Sequence, residues 1–323
     1  GSLPGTGKRS RRNLSGAFCA RGHWRFRARF RAFMKLRLAP ALAALVAMAV
    51  TPAAASAQTA PRELSVNVPV DLAVTGGLGA IWIGSELAKS SLVPSGGCRW
   101  CARNSFDESV RKALWIPGAE KRIGLLADLN GFLLVPALAY GNLAFLSQDA
   151  KRPNYFWKDA LIITEVATVA AALNQGTKFF VARERPFVRN KAIGSSPVTY
   201  NSADENLSFY SGHTSLAFSM AAATGTVAQM RGYRYTPYVW ATGFSLAAFV
   251  GYLRIAADKH YMSDVLVGAA TGTAAGVLIP LLFHPIRKTG DAPSGTTTRG
   301  FTVQNIAPNL STQGATVSFG GVF

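Results

Sequence analysis

Three short stretches of this chain carry residues able to grip an anion and move a proton. The first is Ser211-Gly212-His213-Thr214-Ser215, at the head of an apolar run from Leu216 to Met230. Gly212 removes a side chain and lets the backbone approach a ligand, and Ser211 is placed to cap the helix that follows. A helix start offers unpaired N–H groups and a positive dipole end, which suits an anion. His213 beside it can give or take a proton near neutral pH. The second stretch runs from Lys178 to Arg185-Pro186. Its two cations are seven residues apart, so on a helix they share one face, and Pro186 sets Arg185 near the helix end. The third holds Leu253-Arg254, His260 and Asp264. His260 and Asp264 are four apart, so at a helix start the carboxylate can reach back and orient the imidazole. Each stretch alone has an ordinary reading: a capped helix start, a basic collar, a surface histidine. Together they supply three cations, neutral donors and two histidines, an inventory that suits a tetrahedral oxyanion with a nucleophile and an acid.

In this order and spacing the three stretches resemble the type 2 phosphatidic acid phosphatase / vanadium haloperoxidase superfamily. That family shows K-x6-R-P, then P-S-G-H, then S-R-x5-H-x3-D. The first motif is complete in Lys178, Arg185 and Pro186. The second has Ser211, Gly212 and His213, with Tyr210 in place of the proline. The third has Arg254, His260 and Asp264, with Leu253 in place of the serine. The resemblance covers Leu72–Phe283. It implies an all-α fold, a six-helix bundle of the acid phosphatase/haloperoxidase type. It also implies that Lys178, Arg185 and Arg254 hold the phosphoryl oxygens with Ser211 and the Gly212 amide. His260, oriented by Asp264, would attack phosphorus, and His213 would protonate the departing alkoxide. No metal and no other cofactor is expected, because side chains supply the cations.

The elements that must position these residues are apolar segments. Ile123–Ser147, Ala160–Lys178, Thr214–Met230, Thr236–Leu253 and Val265–Phe283 read as helices, and Leu72–Ser85 makes a sixth, too short to span a bilayer convincingly. Lys178 and Arg185 then close the third helix, the Ser-Gly-His cluster opens the fourth, Arg254 closes the fifth, and His260 and Asp264 open the sixth. In an up-and-down bundle all of these lie at one end. Asp128 and Glu165, inside apolar helices, read as satisfied core polar groups. Phe106–Trp115 reads as a short amphipathic helix. Cys98 and Cys101 read as a local disulfide, since zinc would need two more ligands. Arg189–Leu207 is a polar connection above the site and a candidate lid.

Composition agrees with an envelope protein. Of 323 residues, 49% are hydrophobic and only 15% charged, which tilts toward a membrane protein. The formal charge of +18 invites a nucleic-acid reading, but the first 37 residues hold eleven of the basic side chains and none of the acidic ones. The remainder is mildly basic, which favours anionic partners such as phosphorylated lipids, and no nucleic-acid motif is present. Residues 1–33 read as a basic upstream extension. Residues 34–57 read as a secretory signal with Ala55-Ser56-Ala57 before the cleavage point. Residues 58–289 are then the helical phosphatase domain, and 290–323 a linker and an extended, β-hairpin-like tail. Lys151, Arg152, Lys158, Arg231, Arg234, Arg287 and Lys288 gather at the end opposite the motifs. That distribution places the chemical end outside the cytoplasm, at the inner membrane facing the periplasm or in a soluble periplasmic domain.

The expected function is therefore hydrolysis of phosphate monoesters or pyrophosphates through a phosphohistidine. The substrate would be a phosphorylated lipid if the helices sit in a membrane, or a small phosphomonoester if they do not. Two other readings use the same residues: a vanadate-dependent haloperoxidase, and a non-catalytic envelope phosphate-binding protein.

Overall fold

In the computed structural model, residues 61–93, 97–188 and 203–287 are described with their side chains, as is Gly1; residues 202, 302–311 and 314–322 are described by backbone alone. The expected upstream extension, signal segment and polar linker lie outside these residues, as does most of the candidate lid.

The described chain is mostly helical. Helix α1 spans Val68–Leu87, with Pro69 in its first turn, where a missing N–H costs nothing. The expectation that this segment is too short to span is corrected: it runs 20 residues and is long and apolar enough to cross a membrane. The apolar run stops in sequence at Asp71, but the helix turns that carboxylate inward and continues past it. A single turn, α2, covers Lys89–Leu92. Helix α3, Ser105–Leu114, is capped by Asn104, whose side chain accepts from the Asp107 amide at 2.7 Å. Helix α4, Glu120–Leu129, passes through a π-turn at Asn130–Leu134 into α5, Val135–Asp149. Helix α6 spans Tyr155–Val181 and ends at Ala182, whose φ of 45° is left-handed. Helices α7 (Gly212–Arg231), α8 (Thr236–Ala256) and α9 (Met262–Phe283) complete the helical part. Because α6 ends at Val181, Arg185 does not share a helix face with Lys178, as the spacing suggested. It sits beyond the helix, its amide donating to Glu205 O at 2.8 Å.

Helix α7 is the central post, with most of its residues buried. Ala217, Met220, Ala221 and Val227 pack against Ile162, Ile163 and Val166 of α6, Val135 and Leu143 of α5, and Ala247 and Val250 of α8. Helix α9 runs parallel to α7 at close range, and its glycines set the separation. A Cβ on Gly268, Gly272 or Gly276 would stand 2.8, 2.3 or 2.5 Å from the carbonyl oxygens of Ser211, Ser215 and Ser219. Three glycines at four-residue spacing therefore let the two backbones touch, the small-residue packing that serves where lipid removes the hydrophobic drive between helices.

Helix α1 is inside-out for a water-soluble protein. Its buried residue is Asp71, while Val70, Leu72, Ile81, Ile83 and Leu87 are exposed. Leu125, Leu133 and Phe145 on α4, the π-turn and α5, and Leu278, Leu282 and Phe283 on α9, are exposed too. Four helical stretches, 68–87, 120–149, 236–256 and 262–283, are long and apolar enough to cross a membrane. An apolar surface of this extent calls for lipid or a partner.

At the end away from the motifs, buried Arg231 grips buried Asp159, with Nε and Nη2 2.9 and 2.5 Å from Oδ1. Its guanidinium lies 4.0 Å over Tyr155, and Tyr233 Oη donates to the same carboxylate at 3.2 Å. This joins the end of α7 to the start of α6. Beyond the helices, the backbone of β1 (Thr302–Ser311) pairs antiparallel with β2 (Gly314–Val322), Ser311 opposite Gly314 and a bulge between Val303 and Asn305.

Candidate active site

Two helices end and two begin at the other end of the bundle. The last turn of α6 carries Lys178 and the last turn of α8 carries Arg254. The first turn of α7 carries Gly212 and His213, and His260 precedes the N-cap of α9. The Ser211 cap is as the sequence suggests: its Oγ accepts from Thr214 N at 3.4 Å and from Thr214 Oγ1 at 2.9 Å. With its amide donating to Asp264 O at 3.1 Å, Ser211 has one hydroxyl proton left to offer. The amides of Gly212 and His213 have no intrahelical acceptor. Gly212 is required by close approach, because a Cβ there would lie 2.6 Å from Asn174 Oδ1 and 3.2 Å from Lys178 Nζ.

The charged and basic side chains at this end lie within electrostatic reach of one another. His260 feels Arg185, Arg254, Lys178 and His213, and Lys178 feels Arg185 and Arg254. Burial, then Arg185, brings Lys178 down to about 7. Lys259, missed from the sequence, is brought to about 7 by burial, then Arg185 and Arg254. Burial, then Arg185 and Arg254, holds His260 well below the ordinary imidazole range, so the ring is neutral. His213 is pushed down to about 3 by burial, then Arg254, against an opposing pull from Asp128. The Nε atoms of Arg185 and Arg254 are buried without a hydrogen-bond partner among the described residues. Buried guanidinium donors left unpaired are costly, and a bound anion is one group that would satisfy them.

The geometry corrects one role. Asp264 does not orient His260 directly: its Oδ2 is 3.7 Å from Nδ1. The Nδ1 partner is Ser208 O at 2.8 Å. A carbonyl only accepts, so Nδ1 carries the hydrogen and Nε2 keeps its lone pair. Asp264 is instead committed to Ser208 Oγ (2.5 Å), Tyr261 N (2.9 Å) and Arg183 Nη1 (2.5 Å). It acts on His260 through Ser208, whose carbonyl it helps to place. The i, i+4 rule fails here because His260 lies outside α9, which starts at Met262.

Arg183 was not singled out in the sequence. It is 1% exposed and bridges Asp264 to Asp107, whose Oδ2 is 2.8 Å from Nη2. Its guanidinium is stacked 4.1 Å from Trp100 and 4.5 Å from Tyr261. Trp100 lies between Cys98 and Cys101, which are joined as a disulfide. Asn174 was missed too; its Nδ2 donates to Tyr210 O at 2.7 Å and holds the loop before the Ser-Gly-His cluster. Asp128, read as a satisfied core polar group, is half-exposed. Its Oδ1 is 2.8 Å from His213 Nε2, a close contact without hydrogen-bond alignment, and 3.1 Å from Arg254 Nη1. His213 also packs edge-on against Phe132 of the π-turn, with ring centres 4.5 Å apart. A Cβ on Gly131 would meet its Cδ2 at 3.1 Å. The extra residue of a π-turn thus re-aims this wall around the imidazole. A small apolar cleft lined by Val135, Leu138, Val239 and Leu246 lies away from these groups.

Comparison with known proteins follows the same residues. The PAP2 superfamily model matches residues 159–288. The chain is 38% identical over 71 residues to a lipid A 1-phosphatase of Porphyromonas gingivalis, covering 22% of this chain and 15% of that one. It is 28% identical over 134 residues to phospholipid phosphatase 2 of Rattus norvegicus, covering 35% of this chain and 48% of that one. The chain thus spans less than half the length of either relative. Among solved structures, a transmembrane PAP2-type phosphatidylglycerolphosphate phosphatase from Bacillus subtilis matches with a TM-score of 0.40 at 19% identity, over 64% of this chain and 94% of that one.

Proposed function

We propose, from the premise that residues 159–288 belong to the PAP2 superfamily, that this chain is a phosphoric ester hydrolase acting on lipid phosphates or pyrophosphates through a phosphohistidine. The observation that carries the reading is the pair of buried, unpartnered Nε donors of Arg185 and Arg254 beside a neutral imidazole whose Nδ1 is tied to Ser208 O. Lys178, Arg185 and Arg254, with the amides at the start of α7, hold the phosphoryl oxygens. His260 Nε2 attacks phosphorus in line, forming an N–P bond as the P–O bond to the leaving group breaks. His213 gives its proton to the departing oxygen. It then takes one from the water that attacks the phosphohistidine, releasing phosphate. The incoming dianion supplies the negative charge that lets His213 hold that proton against Arg254 and Lys178.

The lipid class of substrate rests on the exposed apolar faces of α1, α4–α5 and α9 and on the similarity to a lipid A 1-phosphatase and a phospholipid phosphatase. The six long helices, with α4 and α5 counted as one, make up the bundle of this family. The membrane-capable ones sit in the inner membrane with the chemical end toward the periplasm, since Lys158, Arg231, Arg234 and Arg287 lie at the far end.

The test is phosphate release from phosphatidate and from an isoprenoid pyrophosphate in mixed micelles, by the parent and by His260→Ala. The variant should keep the helical circular dichroism of the parent and lose turnover by more than about a thousandfold. Equal turnover by His260→Ala refutes the mechanism. No turnover by the parent on any phosphate ester leaves an anion-binding protein, and vanadate-dependent halide oxidation with peroxide would replace hydrolase by haloperoxidase.

A further inference from the structure

The far half of the bundle holds a second polar cluster that the proposed reaction does not use. Asp71 on α1, Glu165 on α6 and His284 at the end of α9 are all buried. Each presents a ligand atom, and the three atoms lie within 4.8 Å of one another. Glu165 is thirteen residues before Lys178, about 20 Å along a helix, so this cluster is separate from the anion cage. Two carboxylates meet one imidazole here, and among the described residues no lysine or arginine pairs with either of them. Even with His284 protonated, one buried negative charge is left over, a costly arrangement.

The details fit a cation as the missing charge. Asp71 is 7% exposed, and its Oδ2 has no hydrogen-bond partner. One turn on, Thr75 Oγ1 is another buried oxygen without a partner. His284 Nδ1 lies 3.1 Å from Ser65 O, so the carbonyl fixes the hydrogen on Nδ1 and leaves Nε2 facing Glu165. An imidazole that donates one nitrogen to a backbone carbonyl and aims the other into a carboxylate cluster has the orientation of a metal ligand. The Nε2–Oε2 separation is 3.3 Å. That is long for a charge-assisted hydrogen bond, which runs about 2.7–2.9 Å. It matches two ligands on one tetrahedral ion, since bonds of about 2.0–2.1 Å at the tetrahedral angle put their ends about 3.3–3.4 Å apart.

We propose that Asp71, Glu165 and His284 form a structural site for a zinc-class divalent cation, with Thr75 Oγ1 or water available as a fourth donor. One nitrogen and two carboxylate oxygens suit a borderline ion, and a 2+ charge on a neutral His284 balances both carboxylates. The site also answers a structural need. Helix α1 turns only Asp71 fully inward, so apolar burial does little to hold it. A metal joining it to α6 and to the end of α9 would staple it to the bundle.

The experiment uses the full chain in detergent, without a polyhistidine tag, with the disulfide intact. Bound metal is counted by elemental analysis, and zinc is titrated against a chromophoric chelator. The parent should carry about one equivalent of zinc, and its melting temperature should fall when a strong chelator removes it. Asp71→Asn and Glu165→Gln keep side-chain shape, and each should weaken zinc at least tenfold and abolish the chelator response. His213→Gln/His260→Gln should retain both. If one isosteric variant fails to fold, the other gives the same reading. A parent that binds no zinc and melts identically with and without chelator overturns the proposal. So does zinc that survives both isosteric variants, or that is lost with the two catalytic-end histidines.

Discussion

Asp128→Asn separates positioning of a proton donor from packing. The Asp128 carboxylate stands 2.8 Å from His213 Nε2 and 3.1 Å from Arg254 Nη1, so it raises the proton affinity of the one and competes with substrate for the other. A charge pair about 4 Å apart is worth about 1 kcal/mol in water and about 4 kcal/mol near a protein surface. Asp128 is 52% exposed, so the lower part of that range applies, about 1–2 kcal/mol, or about one pKa unit on His213. Removing the charge should therefore cost about tenfold in kcat wherever the leaving group needs a proton. It should also lower KM, because Arg254 is freed for the phosphoryl oxygens. A lipid monoester has a poor alkoxide leaving group; p-nitrophenyl phosphate has a good one and hardly needs an acid. The assay compares the two substrates in parent and variant across pH. The expected result is a tenfold loss on the lipid, less than about threefold on the aryl ester, and an unchanged or lower KM. Equal losses on both, or a raised KM, would refute the reasoning and make Asp128 a packing residue.

Gly272→Ala puts a methyl 2.3 Å from Ser215 O, with backbone on both sides and no flexible side chain to yield. It should cost about 3 kcal/mol or more, read as a lowered thermal midpoint, whereas Gly141→Ala, with open space around it, should not. Arg183→Met leaves Asp107 and Asp264 buried without their shared cation and should destabilise by about 3–5 kcal/mol; Arg183→Lys should rescue little, since it cannot bridge two carboxylates while stacked on Trp100. Sulfate, a dianion throughout the neutral range, should inhibit competitively. Its affinity should fall as pH rises through about 7, where Lys178 and Lys259 lose the protons that burial and Arg185 make hard to hold. The loss should approach tenfold per pH unit for each coupled proton, and Lys178→Arg, which stays charged, should make the inhibition less dependent on pH.

Much of this site was legible because its chemistry is local in sequence. Lys178, Gly212, His213, Arg254 and His260 lie at helix ends that apolar runs and capping residues mark within one or two turns. What escaped is what depends on contacts between distant segments. Arg183 looks like any surface arginine until Trp100 and Tyr261, 83 residues before it and 78 after, close over it. Asp128 looks like a core carboxylate because hydropathy does not say which side of α4 faces the cage. Asp71 ended the apolar pattern and so shortened α1 on paper, although burial of that carboxylate lets the helix begin earlier. Asp264 was assigned to His260 by spacing, and the cap of α9 claimed it. In each case periodicity located the element, and the partner that decided the side chain's role lay on another one.

Helix direction explains why the cations sit where they do. Lys178 and Arg254 occupy the last turns of α6 and α8, where the negative ends of the helix dipoles offset some of the cost of burying two cations together, each end worth about 0.3–1 kcal/mol. Helix α7 presents the opposite end, with amides at Gly212 and His213 that lack an intrahelical acceptor and, among the described residues, no acidic side chain in its first turn. Helix α9 spends its first turn on Asp264, which is already neutralised by Arg183. The positive field at this mouth is therefore built from backbone that cannot move away and from side chains pinned by burial, with no reorganisation left to do when an anion arrives. Loss of any one cation would still leave the backbone donors in place. Single substitutions at Lys178 should thus weaken binding by a graded amount, whereas His260, whose Nδ1 is tied to Ser208 O so that Nε2 keeps its lone pair, is the nitrogen the proposed attack depends on.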